Sequence, residues 1–66
     1  MKPVREQDAG ELRETLAEYH AQEWLTRHEF RQYVRALARI ERLTGITAED
    51  IIETAERDAV YVAARD

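Results

Sequence analysis

Leu43-Thr44-Gly45-Ile46-Thr47-Ala48-Glu49-Asp50 separates two amphipathic runs, and its reading decides how the chain folds. Gly45 falls just past the end of one apolar period, where a glycine supplies the left-handed residue that closes a helix. Thr47 followed three residues later by Asp50 is a helix start, the hydroxyl capping the first turn and the carboxylate favouring its positive dipole end. Ile46, between them, is placed to fold back on the preceding turn. The stretch therefore predicts a sharp helix–helix corner built by Gly45, Ile46, Thr47 and Asp50.

A glycine-containing corner of this kind also occurs in the helix-turn-helix of DNA-binding proteins. Two features oppose that reading. The residue four before Gly45, small in that motif, is Glu41, and the helix that would enter the groove opens Ala48-Glu49-Asp50 and continues with Glu53 and Glu56. Phosphate is repelled by such a surface, and no Arg, Lys, Asn or Gln is available for base edges before Arg57.

Working outward, the same start signal appears twice more. Asp8 precedes Glu11 and then Leu12, Leu16 and Tyr19 at helical spacing; Thr26 precedes Glu29 and then Phe30, Tyr33, Val34, Leu37 and Ile40. Both pairs read as capping boxes. After the corner, Ala48, Ile51, Ala55, Ala59 and Val62 recur at helical spacing. The expectation is an all-α, three-helix domain over residues 8–66 with helices at about 9–25, 27–43 and 48–64, preceded by a flexible N-terminal arm at 1–7 around Pro3. The break before Thr26 rests on its capping box, because Glu23-Trp24-Leu25-Thr26 holds neither glycine nor proline.

With 66 residues and no cysteine, the chain has room for one thin core and no disulfide or thiolate brace. Completion of the fold by oligomerisation, a homodimer first of all, is the corresponding expectation. The helix after the corner supports it, since Val60 and Ala64 point nearly opposite to Ile51 and Tyr61 lies to the side. Trp24 and Leu25 also fit one narrow core poorly. Trp24, Leu25, Val60, Tyr61 and Ala64 are therefore the predicted interface residues.

Ten basic and fourteen acidic residues give a formal charge of -4, unfavourable to non-specific attraction to nucleic acid or anionic lipid. Yet Arg27, Arg31, Arg35, Arg39 and Arg42 recur every three or four residues as a basic stripe along one side of the second helix. It admits three readings: a solvated arginine face, a site for an acidic protein partner, or a phosphate contact of a nucleic-acid accessory protein. Glu23 and Glu41 fall inside the apolar stripes of their helices. Each either bends out to water or meets an arginine, histidine or tyrosine hydroxyl across an interface.

Nothing here amounts to a catalytic or cofactor site. The chain has no serine or cysteine nucleophile, and Gly10 and Gly45 are its only glycines, too few for a phosphate loop. His20 and Glu23 are three apart, in the reverse order to the Glu-x-x-His of helical carboxylate metal centres. No metal or cofactor is expected. No run approaches a membrane span, and the charged start lacks the apolar segment of a signal peptide, so a cytoplasmic chain with no membrane partner is expected. The functional expectation is a small, non-enzymatic, self-associating helical interaction or regulatory protein. The alternatives are a nucleic-acid accessory protein and a small inhibitor or antitoxin-like protein.

Overall fold

The computed structural model describes residues 2–65. Met1 of the expected arm and Asp66 of the expected domain lie outside them. Three helices, α1 (Ala9–Ala21), α2 (Arg27–Thr44) and α3 (Ala48–Arg65), follow a short 3-10 turn at Val4–Glu6. The fold is all-helical, as the periodicity predicts, and α1 lies most extensively against α3 and next against α2.

Local chemistry explains where the helices begin. Asp8 Oδ1 accepts from the Glu11 N–H at 2.8 Å while Glu11 Oε1 accepts from the Asp8 N–H at 3.1 Å, and Thr26 and Glu29 repeat the exchange at 3.0 and 2.9 Å. Each box satisfies two backbone donors that the helix ladder leaves open. The hydrogen bond from Thr26 also holds the Glu29 carboxyl below its ordinary pKa.

The corner at 43–50 forms as its residues require. Gly45 adopts φ 76°, and its N–H donates to the Glu41 carbonyl at 2.8 Å, closing α2. Thr47 Oγ1 accepts from the Asp50 N–H across a long 3.4 Å. A shorter bond comes from an unexpected residue: Glu41 Oε2 accepts from the Ala48 N–H at 2.8 Å and caps α3 from the neighbouring helix. Glu41 is exposed, in keeping with the solvated reading, yet its carboxylate is held by this backbone N–H and meets no arginine, histidine or tyrosine. The side chain that argues against a DNA-reading turn locks the corner. Ile46 stays half exposed at the mouth of a crevice of about 130 Å³ lined also by Leu16, Ile40 and Ile51.

Three expectations need correction. First, α1 ends at Ala21 and not near 25, so Glu23, Trp24 and Leu25 belong to an extended connection, and Glu23 is exposed. Gln22 leaves the helix with ψ 146° while its N–H closes a last turn onto the Tyr19 carbonyl at 3.2 Å. Secondly, the buried face of α2 centres on Ala36 and Ile40, with Tyr33 and Leu37 partly covered; Phe30 and Val34, read as the middle of that face, are exposed. A methyl group at Ala36, fully buried, lets the helices approach where a larger side chain would hold them apart.

Thirdly, residues 2–7, expected as a flexible arm, are folded against the bundle. Gln7 is 2% exposed; its Nε2 donates to the Lys2 carbonyl, and its Oε1 accepts from the Thr15 hydroxyl, both at 2.8 Å. Arg39 Nε donates to the Gln7 carbonyl at 2.9 Å, and Val4 packs on the core. Every polar atom of the buried Gln7 side chain thereby finds a partner, as burial demands.

The core that results is small: Leu12, Leu16, Ile40 and Ile51 with Ala17, Ala36, Ala55 and Ala59. An ion pair, Arg13 to Asp58 at 2.6 and 3.1 Å, ties α1 to α3. Its hydrogen bonds hold the Asp58 carboxyl below its ordinary pKa and push the Arg13 guanidinium higher. Among the described residues, no helix is long and apolar enough to cross a membrane.

Candidate functional site

Two surfaces stand out, at different places on the bundle. The first lies where α1 ends, α2 begins and α3 ends. Ala21 and Gln22 share a surface depression with Val62 and Arg65, which brings the ends of α1 and α3 together, and Tyr33 in the second turn of α2 packs against Tyr19 and His20 near the end of α1. Here the large apolar side chains point outward: Trp24 is 71% exposed, Phe30 57%, Val60 68% and Tyr61 73%. Ala64 is exposed as well, and Leu25 is half-buried. Of the five predicted interface residues, four are thus displayed and one partly covered. Phe30 joins them, although its spacing in the sequence had placed it inside.

Behind this end sits an aromatic cluster. Phe30 stacks on Tyr33 with ring centroids 6.4 Å apart; Tyr19 meets Tyr33 edge-on at 6.4 Å, and His20 meets it edge-on at 5.2 Å. The Tyr33 hydroxyl shares a 2.8 Å hydrogen bond with His20 Nε2, the donor set by the imidazole tautomer. Burial, and secondly the charge of Glu56, pushes the Tyr33 phenol above its ordinary pKa; for Tyr19 burial leads, followed by Glu29 and Glu18. His20 is thereby engaged in packing, and Glu23 sits in the connection, so the pair weighed as metal ligands is not brought into a cluster. Among the described residues, no group of three or more His, Cys, Asp and Glu is placed to hold a metal ion.

The second surface is the arginine stripe of α2. Arg35, Arg39 and Arg42 line one wall of a groove of about 680 Å³ whose other wall is the folded N-terminal segment, which contributes Lys2 and Arg5. Arg27 and Arg31 lie further round α2, outside the groove lining. Among the described residues, none of the five stripe arginines comes within 4.0 Å of a carboxylate; the ion pairs present are Lys2–Glu11, Arg13–Asp58 and Arg65–Glu14. From the sequence the stripe is visible as a line on one helix. Its second wall is not, because that wall depends on contacts between residues far apart in the chain.

The corner residues Gly45, Ile46, Thr47 and Asp50 build the opposite end of α2 and contribute to neither surface. No family model, no curated protein and no solved structure matches the chain.

Proposed function

We propose that the chain is a non-enzymatic protein–protein interaction module that pairs with a second copy of itself through the end carrying Trp24, Phe30, Val60 and Tyr61. One observation carries this reading. Among the described residues, seven large apolar side chains are exposed, Trp24, Phe30, Val60 and Tyr61 the most, while the large aliphatic ones in the buried core are Leu12, Leu16, Ile40 and Ile51, of which Leu12 and Leu16 alone are fully buried. A domain this short stabilises itself weakly through its own core, and covering exposed aromatic surface offsets that deficit. Trp and Tyr are the residue types that most often anchor protein interfaces.

A second copy is the simplest occupant because an isologous contact sets the same apolar patch against itself, and both patches are covered at once. A small inhibitor or antitoxin-like protein would use the same anchors against a different chain. The lack of a serine or cysteine nucleophile, together with the engagement of His20 by Tyr33, supports the non-enzymatic part.

Sedimentation equilibrium over a wide concentration range tests this. The expected outcome is a mass rising from 7.8 kDa toward twice that value as concentration rises. A mass of one chain up to millimolar concentration would remove self-association.

A further inference from the structure

We infer that the groove between the N-terminal segment and α2 is a binding site for an acidic polypeptide segment of a partner protein, held in an extended form. Arg5, Arg35, Arg39 and Arg42 line the groove together with Lys2, which is paired with Glu11, and no aspartate or glutamate is part of the lining. Guanidinium groups at this density repel one another, and an anionic ligand relieves that repulsion while filling their paired N–H forks.

The groove is also preformed. Gln7, buried and bonded to Lys2, Thr15 and Arg39, holds the N-terminal wall against the bundle, so the site is not assembled from loose chain when a ligand arrives. From His28 to Arg42 its floor runs along α2 for roughly 20 Å at the rise of an α-helix. That matches about six residues of extended peptide.

Two observations favour a peptide over a nucleic-acid strand. Bases bind such grooves by stacking on aromatic faces. Of the two rings at this groove, Tyr19 is half-buried and already set edge-on to Tyr33, which leaves the single exposed imidazole of His28 and no row of stacking faces. Outside the five groove cations the chain carries five basic against fourteen acidic side chains, a surface that repels a polyanion continuing past the groove. A short acidic segment ends before it reaches that surface.

This site and the apolar end use different residues, so each reading fails separately. The test is an amide NMR titration of the full chain with two probes of similar charge, a hexaglutamate peptide and a six-residue oligothymidylate, at low and at physiological salt. Expected are shifts confined to residues 2–7 and 28–42 on adding hexaglutamate, weakening as salt rises. The double substitution Arg35→Gln with Arg42→Gln should lower the affinity by roughly tenfold, since both arginines are exposed and each contributes a modest ion pair. Arg5→Gln on the opposite wall provides a second variant that leaves α2 untouched. Tighter binding of the oligothymidylate at these residues would overturn the assignment in favour of nucleic acid. Absence of binding, or shifts lying at Trp24, Phe30 and Val60, would overturn it outright.

Discussion

The two ends of the α2 helix are finished differently. At its C-terminal end each group of the corner has a partner within the chain: Gly45 closes the helix, Glu41 caps the first residue of α3, and Thr47 meets Asp50. Its N-terminal end is well capped by Thr26 and Glu29, yet the surface around it displays Trp24, Phe30, Val60 and Tyr61 to solvent. Backbone chemistry is satisfied at both ends. Apolar surface is left over at both, but at the corner Leu43 and Ile46 are about half exposed, whereas Trp24, Val60 and Tyr61 at the second end are more than two-thirds exposed, and this separates a requirement of folding from a capacity to bind.

Substitutions at the two ends should therefore have opposite effects. The largest effect is expected from Trp24→Ala with Tyr61→Ala. Both side chains are more than two-thirds exposed, so the double variant should weaken dimerisation about 100-fold while leaving the unfolding midpoint of the monomer nearly unchanged. Analytical ultracentrifugation paired with thermal unfolding in dilute solution reads both quantities. A large fall in monomer stability would mean that these residues pack within the chain.

Gly45→Ala should do the reverse. An added Cβ meets no atom within 4 Å, so the penalty is the positive φ alone, about 1 kcal/mol, with dimerisation unaffected. Gly10→Ala serves as its control. There the new Cβ lies an ordinary 3.5 Å from Asp8 Oδ1 in a helical residue, so the substitution should stabilise by about 0.5 kcal/mol. If urea unfolding gives both substitutions the same sign, the left-handed corner is wrong.

These contrasts also indicate what is legible in the amino-acid order. Helix starts and the corner are, because each is written in residues three or four apart. The end of α1 is not, since His20-Ala21-Gln22-Glu23-Trp24-Leu25 holds no glycine or proline, and the chain leaves the helix to reach the next capping box. The buried side of α2 is obscured for another reason. Five large apolar residues from Phe30 to Ile40 form a stripe wider than the small core can cover, and the residue at its centre, Ala36, looks neutral in sequence. The basic stripe is readable but the groove is not, because Gln7 reaches Thr15 and Arg39 by hydrogen bonds that no local pattern announces.

The smallest effect concerns a link between helices, away from either end. Asp58 has a lower pKa when folded than when unfolded, because Arg13 donates to it, so the folded state binds fewer protons there. The stability from this pair is complete above the ordinary carboxylate pKa of about 3.9 and is lost as pH falls through the lowered folded value. With Arg13 largely exposed, the contribution is about 1 kcal/mol or less. Asp58→Asn should flatten that part of the acid-unfolding curve and leave the behaviour at neutral pH dominated by packing. An acid limb identical to that of the parent protein would dismiss the pair as a stabilising link.

Trp24 offers the most direct test of the central claim, because it is the only tryptophan of the chain and belongs to the proposed contact. Its fluorescence emission should move to shorter wavelength as protein concentration rises, in step with the growth in mass, as the indole passes from water into the dimer interface. Emission fixed at the wavelength of a solvated indole while the mass doubles would contradict the account, placing self-association on some other face.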